Sequence, residues 1–402
     1  MSFLRSNRTS AALLLVAAVL GLAIANSPLA QAAQDLQHAH LGLPGLGLDL
    51  SVGHWISDGL LAVFFFIVAI ELKHEFVEGD LNSVSKAIRP AIAALGGILV
   101  PVGVYLAITW GSGYENGWPI PTATDIAFAL GVLAVVGRGL PTTVRAFLLA
   151  LAVLDDLAGI LFIATFFTSN AQVGLIALGL ILTVIFGALS WRYAALRRRA
   201  RRPSQKRHRA AEWGLLLAMI LIGLLTWYVV YQSGIHATIA GVALGFAMHR
   251  APAHRARYLI EPVSNVAVLP LFAFSAALVT IPTLGETPLA APFWAIAIAL
   301  PLGKLIGIVG ATLLADRLLR TKQPAILNVG DMLAAGALGG IGFTVSLLMN
   351  ELAFAGNRAI ADQGVLAVII GSAVSIVLSV ALVRWRARHY KRARVAANAA
   401  TS

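Results

Sequence analysis

Four ionisable residues lie inside long apolar stretches, where an uncompensated charge is costly. Asp155 and Asp156 are adjacent in the segment LAVLDDLAGI, and Asp125 and Lys304 lie in two further apolar segments. A charged side chain at the centre of a membrane helix costs roughly 2.5–3.5 kcal/mol on insertion scales. These four residues are therefore expected to face water, one another or a bound ion.

The chemistry open to these residues is the binding of small cations and protons. Carboxylate oxygens, with the hydroxyl groups of Thr122 and Thr124 close in sequence to Asp125, make an anionic oxygen site that suits hard cations. Because two neighbouring carboxylates repel, at least one of Asp155 and Asp156 is expected to hold a proton near neutral pH. Lys304 is the expected partner of one of them. The same oxygens could then hold a cation or protons, but not both.

Structural roles are the alternative for these residues. The charges could form a buried ionic network that only holds helices together. Asp125 could compensate the partial positive charge of helix N-termini at a break, and Lys304 could do the converse at C-terminal ends. His236, in SGIHATIAG, could sense pH or could be an interfacial histidine without a role.

The composition places these residues in a membrane protein. Of the 402 residues, 59% are hydrophobic and only 12% are charged, whereas soluble domains have roughly 25% charged residues. The mean hydropathy is +0.84. The absence of cysteine excludes disulfides, iron–sulfur clusters and thiolate metal sites, and no cofactor is expected. We interpret the chain as an all-α integral membrane protein with a single domain over residues 1–402.

Twelve stretches are apolar enough to be membrane spans, which need roughly 17–25 residues. They lie near 11–29, 57–77, 90–110, 122–137, 142–168, 172–191, 212–232, 235–249, 263–280, 292–315, 325–350 and 359–384. The first could instead be a cleaved signal peptide, because RSNR precedes it and PLAQA follows it, which would leave eleven spans. Between spans one and two, the alternation in GLGLDLSVG (45–53) predicts a short strand or hairpin, or else an irregular loop.

Basic residues predict the orientation of the spans. With twelve spans, the basic loops fall on one side of the membrane, and Arg358 is the exception. The positive-inside rule then places both termini in the cytoplasm. The formal net charge of +12 is therefore interpreted as topological, and no nucleic-acid partner is expected. Residues 385–402 are predicted to be a basic cytoplasmic tail that is disordered at its end.

Two spans are predicted to be interrupted. Span four follows Pro119 and Pro121 and is unusually short, and span eleven contains four glycines in GALGGIGFTVS. Glycines weaken a helix, although close packing through small residues would explain them as well. One interrupted span in each half of the chain is the pattern of inverted-repeat transporters, whose site lies where the broken helices cross.

The sequence resembles the bacterial NhaA sodium/proton antiporters over nearly its whole length. The matching segments are LAVFFFIVAIELKHEF (61–76), PTATDIAFALGVLA (121–134), LAVLDDLAGI (151–160), SGIHATIAGVALGF (233–246), LPLFAF (269–274) and GGIGFTVSLL (339–348). The resemblance implies an inner-membrane antiporter with twelve helices in an inverted-repeat fold, two of them interrupted and crossing. It implies electrogenic exchange of cytoplasmic sodium or lithium for external protons, serving pH and sodium homeostasis.

The resemblance also implies roles for the buried residues. By motif position, Asp156 is the principal cation ligand, and Asp155 is the second, proton-carrying aspartate that pairs with Lys304. Thr124 and Asp125 match the residues at the first helix break.

Further positions match family residues near the two membrane surfaces. Asp58 matches an acid on the outer side of span two, Glu71 and Glu75 match acids linked to pH sensing, and His236 matches the family histidine. The chain departs from the family at Arg257, where a glutamate is usual, and after LPLFAF, where Ser-Ala-Ala-Leu replaces Ala-Asn-Ala-Gly. A homodimer through the outer stretch 45–53 is implied as well, although this stretch is short.

Two other functions are alternatives. A related transporter could couple protons or sodium to an organic solute. An intramembrane aspartyl protease could use paired acids to activate water, and Asn328-Val329-Gly330-Asp331 contains the Gly-Asp pair of such enzymes. However, the usual Tyr-Asp motif is absent, and Asp155 and Asp156 point about 100° apart on a helix, too far to share a water.

Overall fold

A computed structural model describes residues 7–43, 45, 47–79, 81–167, 171–199, 206–281, 288–318 and 327–401. These residues are mostly helical. The α-helices are α1 (Asn7–Ala25), α2 (Ala30–His38), α3 (Val52–His54), α4 (Leu61–Val77), α5 (Val84–Thr109), α6 (Ile126–Val136), α7 (Thr142–Phe166), α8 (Val173–Arg199), α9 (Lys206–Gln232), α10 (Thr238–Ala247), α11 (Arg250–Val263), α12 (Leu269–Ala276), α13 (Ala291–Ile298), α14 (Lys304–Leu318), α15 (Val329–Gly339), α16 (Phe343–Ala353) and α17 (Arg358–Thr401).

Shorter elements interrupt or extend these helices. Two 3₁₀ turns, Glu115–Gly117 and Ile120–Thr122, precede α6. The π-helical turns are Trp55–Leu60, Ser264–Val268 and Ala299–Gly303, and each continues directly into the next α-helix. π-helical turns are rare in proteins overall, and those that occur are often found at functional sites.

Ten helical stretches in the described part of the chain are long and apolar enough to cross a membrane. The pair α15–α16, bent by 47° at its break, would make an eleventh. The segment predicted as span eight contains α10, whose ten residues are fewer than a perpendicular span requires. The last helix was expected to end near residue 384, but α17 continues through the basic tail to Thr401. The disorder predicted for the end of the tail stays a prediction.

The hairpin predicted near residues 45–53 is confirmed, although it begins earlier. Strands β1 (His40–Leu43) and β2 (Leu48–Ser51) pair antiparallel, with Leu41 opposite Leu50. The indole Nε1 of Trp55 donates a hydrogen bond to the Leu41 carbonyl at 2.7 Å. This bond ties the hairpin to the π-helical turn that leads into α4.

The chain divides into two compact units. Unit 1 comprises the described residues of Met1–Leu36, Glu78–Gly159 and Ala273–Ser402, and unit 2 comprises those of Gln37–Val77 and Ile160–Phe272. The four ionisable residues of the apolar stretches all belong to unit 1.

In unit 1, α5 and α14 pack with their backbones in contact. A Cβ atom on Gly307 would lie 2.1 Å from the Gly96 carbonyl oxygen, and one on Gly303 would lie 2.9 Å from the Cα of Pro101. The two glycines lie on either side of Lys304 along the chain. At the far end of α14, Asp316 forms an ion pair of 3.3 Å with the nearly buried Arg89 of α5.

The first apolar stretch also packs into unit 1. The guanidinium group of Arg8 donates to the Ala134 carbonyl, with a distance of 2.8 Å from Nε. This contact places a positive charge near the C-terminal end of α6, where the helix dipole favours it. At the other end of α1, Asn26 binds the Val279 carbonyl at 3.0 Å and accepts from the Ile281 amide at 2.8 Å.

In unit 2, glycines bring α10 against α4. A Cβ atom on Gly241 would lie 2.0 Å from the Ala62 carbonyl oxygen. The ammonium group of Lys73 donates to the carbonyls of Phe246 and Met248 at 2.7 and 2.8 Å. It thereby satisfies carbonyls at the C-terminal end of α10, which have no partner within the helix.

The contact at Gly307 leads to a stability prediction. In Gly307→Ala, the added methyl group would overlap the Gly96 backbone, and overpacking of this kind costs about 1–3 kcal/mol. We expect a lower melting temperature for the detergent-purified variant. Gly310→Ala is the matched control, because Gly310 lies in the same helix with nothing within 4 Å of the added Cβ. Equal melting temperatures for the two variants would contradict the backbone contact.

Candidate ion-binding site

The chain between α5 and α6 is not a continuous helix. The two 3₁₀ turns are followed by residues 123–125, which have no regular structure, and α6 begins only at Ile126. Pro119 and Pro121 lack backbone N–H groups and so cannot donate to the hydrogen bonds of a regular helix. Asp125 is the N-cap of α6, because its Oδ1 accepts a hydrogen bond from the Phe128 amide at 2.9 Å. The interruption predicted for span four is therefore present.

The interruption of span eleven is also confirmed. Helix α15 ends at Gly339 and α16 begins at Phe343. A Cβ atom on Gly340 would lie 2.9 Å from the Leu300 carbonyl oxygen, and one on Gly342 would lie 2.2 Å from the Oγ of Ser346. The glycines therefore serve both the break and the close packing around it.

The two breaks lie against each other, and Asp125 joins them. Its backbone amide donates to the Ile341 carbonyl at 2.6 Å. Its Oδ2 accepts from the hydroxyl and the amide of Thr344 at 2.7 and 3.2 Å. One carboxylate thus caps the N-termini of α6 and α16 together, where the partial positive charges of both helices favour it. Asp125 therefore has the structural role considered from the sequence, which is to compensate the partial positive charge of helix N-termini at a break.

Lys304, Asp155 and Thr124 form a second buried group. The Nζ of Lys304 lies 2.5 Å from the Oδ2 of Asp155 and 3.0 Å from the Oγ1 of Thr124, and both charged side chains are 0% exposed. The Oγ1 of Thr124 lies 2.7 Å from the same Oδ2 and 2.8 Å from the Gly339 carbonyl oxygen. Because a hydroxyl group has one proton, Thr124 donates to only one of these two oxygens at a time.

The second carboxylate oxygen of Asp155, Oδ1, has different surroundings from Oδ2. It is buried and has no hydrogen-bond partner among the described residues. Leaving a buried polar atom unpaired costs roughly 1–3 kcal/mol, and more for a charged group. Asp156, the next residue of α7, is also buried, at 7% exposure.

The structure corrects one expectation and adds residues to the site. The hydroxyl of Thr122 donates to the Pro119 carbonyl of its own turn at 2.6 Å, which explains why it does not join Thr124. Sequence reasoning missed Thr344, although it directly follows the glycine-rich break. It also missed Ser372 of α17, whose Oγ accepts from the Phe343 amide at 3.2 Å. Ser372 and Asp125 together satisfy the first two amides of α16.

In unit 2, the structure brings Asp58 and His236 together. The Nε2 of His236 lies 3.2 Å from the Oδ1 of Asp58, and its Nδ1 lies 2.8 Å from the hydroxyl of Thr238. Asp58 is part of the π-helical turn Trp55–Leu60, and its carbonyl accepts from the Trp227 indole at 2.9 Å. No sequence pattern indicated the indole contact.

Arg257 joins two carboxylates elsewhere in unit 2. Its Nη2 lies 3.0 Å from Glu71, and its Nε lies 3.1 Å from Glu261, four residues further along the chain. Glu75, one turn after Glu71 on α4, is buried. Arg257, which the resemblance leads us to expect as a departure, is thus paired with Glu71, one of the acids that the sequence singled out. The partner Glu261 was missed, although its spacing from Arg257 is that of helix neighbours.

Comparison with known proteins identifies relatives along the whole chain. The family model described as Na+/H+ antiporter 1 matches residues 1–383. The chain is 54% identical over 398 residues to the Na(+)/H(+) antiporter NhaA 2 of Clavibacter michiganensis, covering 99% of this chain and 95% of the relative. It is 46% identical over 390 residues to the Na(+)/H(+) antiporter NhaA of Tropheryma whipplei, covering 96% and 95%. It is 42% identical over 400 residues to the protein of that name in Streptomyces avermitilis, covering 96% and 82%.

These matches agree with the apolar helices and the buried charges. Ten stretches suited to cross a membrane, in the described part of the chain, fit a multi-pass protein of the bacterial inner membrane. The family consists of transporters, so the aspartyl-protease alternative is excluded. The similarity extends over nearly the full length of the chain, and the chain therefore belongs to the Na+/H+ antiporter 1 family.

Proposed function

We propose that this chain exchanges cytoplasmic sodium or lithium for external protons, and that Asp155 and Asp156 form the exchange site. The observation that carries the proposal concerns the buried Asp155. Its Oδ1 has no hydrogen-bond partner in the described part of the chain, and its Oδ2 binds Lys304 and Thr124. A bound cation or proton would offset the cost of leaving this oxygen unpaired. The names of the relatives, all Na(+)/H(+) antiporters, support the choice of ions.

The two aspartates have different proposed tasks. Adjacent side chains on a helix point about 100° apart, so only one of them can face Lys304 directly. Asp155 faces the lysine, and Asp156 is proposed as the principal cation ligand. Carboxylate oxygens are hard ligands, which suit sodium and lithium.

Competition for Asp155 is the proposed basis of exchange. A proton on Asp155 would neutralise the carboxylate that binds Lys304, and a cation beside it would repel the lysine. A proton, a bound cation and the ammonium group of Lys304 therefore compete for the Asp155 carboxylate. With two carboxylates exchanging protons against one sodium ion, net charge moves in each cycle, so the exchange is electrogenic.

Asp125 is proposed to shape the site rather than to bind the ion. Its two oxygens are occupied by the amides and the hydroxyl at the N-termini of α6 and α16. Thr124, the preceding residue, would link this capped junction to Asp155. The cycle then requires a rearrangement at the interrupted helices that opens the site to one side of the membrane at a time.

The topology completes the proposal. We propose twelve spans with α10 as the short eighth span, both termini in the cytoplasm, and the two interrupted spans as crossing members of an inverted repeat. The basic loops of the sequence support this orientation. The two units would act as a single transport domain in the lipid bilayer, without a cofactor. A homodimer through the β1–β2 hairpin is part of the proposal.

The polar residues of unit 2 are proposed to set the pH response. The Asp58–His236 pair would act on the outer side, and Glu71 and Glu75 on the cytoplasmic side. Arg257 adds a positive charge between Glu71 and Glu261 where the family pattern has a carboxylate. We therefore propose that the pH profile of exchange differs from that of family members with a glutamate at this position.

The function is tested by pH-gradient dissipation in everted vesicles between about pH 6 and 9. We expect added Na+ and Li+ to dissipate the gradient and K+ to leave it intact, because small hard cations suit a carboxylate site. In liposomes with Na+ as the only solute, exchange should persist. An absolute requirement for an organic solute would instead support the related solute transporter.

Asp156→Asn is predicted to abolish Na+-dependent dissipation of the pH gradient. The amide keeps the size of the side chain but removes the negative charge and one cation-binding oxygen. Asp35→Asn is the matched control, because Asp35 carries the same group on the exposed surface of α2. Wild-type transport by Asp156→Asn, at equal protein amounts, would refute the role of this residue.

The Lys304–Asp155 pair is predicted to behave as a unit in stability. Lys304→Met leaves Asp155 buried without its counter-charge, and breaking such a pair costs roughly 3–5 kcal/mol. Asp155→Asn combined with Lys304→Met removes both charges, so we expect it to have a higher melting temperature than Lys304→Met alone. If the two substitutions lower the melting temperature additively, the pair is not coupled.

A further inference from the structure

Asp331 lies in the first turn of α15 and plays no part in the proposed ion binding. Its carboxylate is buried, with 2% exposure of the residue. The Nε of Arg386 lies 3.0 Å from its Oδ1, and the hydroxyl of Tyr390 donates to its Oδ2 at 2.7 Å. Both oxygens of this carboxylate are thus bound by side chains of α17.

The surrounding contacts show that this group is closely packed. Arg386 lies against Gly330, where a Cβ atom would be 2.8 Å from the Cδ of the arginine. Its guanidinium carbon lies 5.0 Å from the centre of the Tyr390 ring, one helical turn further along α17. Asn328 caps α15 by accepting from the Asp331 amide at 3.1 Å, and its side-chain amide lies 3.3 Å from the Tyr390 hydroxyl. We call Asn328, Asp331, Arg386 and Tyr390 the α15 anchor.

Helix α15 connects this anchor to the ion site. Asp331 and Gly339 are eight residues apart, which is about 12 Å along a helix. The Gly339 carbonyl accepts from Thr124, and Thr124 also lies in hydrogen-bonding distance of Asp155 and Lys304. Because the chain is interrupted after Gly339, α15 and α16 do not form one continuous helix, and the two are bent by 47° at the break. At its other end, α15 is bound to α17 through Asp331.

We propose that Arg386 and Tyr390 are positioning residues for the ion site. By holding Asp331 they fix α15 along its axis, and with it the Gly339 carbonyl that orients Thr124 beside Asp155. This inference rests on the proposed function. It gives the end of α17, which the proposed topology places in the cytoplasm, a part in the affinity for the transported cation.

The test compares Tyr390→Phe and Arg386→Met in the full-length protein, reconstituted in liposomes. We expect the apparent KM for Na+ to rise about threefold in Tyr390→Phe and up to roughly tenfold in Arg386→Met, since Tyr390 is a neutral donor to Asp331 whereas Arg386 also supplies its counter-charge. The maximal rate per folded protein should stay within about twofold. Arg386→Lys keeps a positive donor and should lie closer to the wild type than Arg386→Met.

Arg388→Met is the matched control, because Arg388 is exposed on the same helix and loses the same group. Its KM for Na+ should equal that of the wild type. Unchanged KM values in both Tyr390→Phe and Arg386→Met would overturn the proposal, and so would a lower rate at unchanged KM, which indicates a role in folding alone. If Arg386→Met does not fold, Tyr390→Phe decides, since it removes only one hydroxyl group. Absence of Na+-dependent exchange in the wild type would refute the proposed function instead.

Discussion

Lys304 and Asp155 are both fully buried, so each depends on the other for its counter-charge. Separating such a pair, or removing one member, leaves a charge in surroundings that solvate it poorly. The packing around Lys304 can be understood from this dependence. Glycines at positions 303 and 307 bring α14 into backbone contact with α5. The helix that carries Lys304 is thereby held close against α5. A π-helical turn containing Pro301 directly precedes the lysine, so the regular helix begins at the charged residue itself.

The helix breaks supply what regular helices cannot offer in an apolar environment. An uninterrupted helix uses its own backbone groups internally, whereas a helix end exposes amides or carbonyls with partial charge. Here the amide ends of α6 and α16 meet Asp125, and the carbonyl end of α15 meets Thr124 beside Lys304. A negative residue thus faces N-terminal ends, and Thr124 links the positive Lys304 to a C-terminal carbonyl. The breaks and the buried charges stabilise one another, so neither is explained without the other.

The sequence was sufficient to identify these charges because their cost in apolar stretches makes chance occurrence rare. It also indicated both breaks, through prolines in one span and glycines in the other. It did not indicate Thr344, Ser372 or the carbonyl of Gly339, because their roles arise only when distant segments meet. Thr122 was wrongly grouped with Thr124, since sequence proximity does not show that a hydroxyl bonds within its own turn. Likewise, the apolar pattern predicted that the last span ends near residue 384 and did not indicate that α17 continues to Thr401.

Thr124 connects the occupancy of the site with the backbone of the break. Its single hydroxyl proton can go to the Asp155 carboxylate or to the Gly339 carbonyl, and both oxygens lie within hydrogen-bonding distance. A charged Asp155 is the stronger acceptor, whereas a protonated Asp155 competes poorly with the carbonyl. In the proposed exchange, protonation of Asp155 would therefore favour donation to Gly339 and strengthen the contact between the two interrupted spans. Loss of that proton would favour Asp155 and weaken the contact. The chemical state of a single carboxylate is in this way coupled to how firmly the broken helices hold each other.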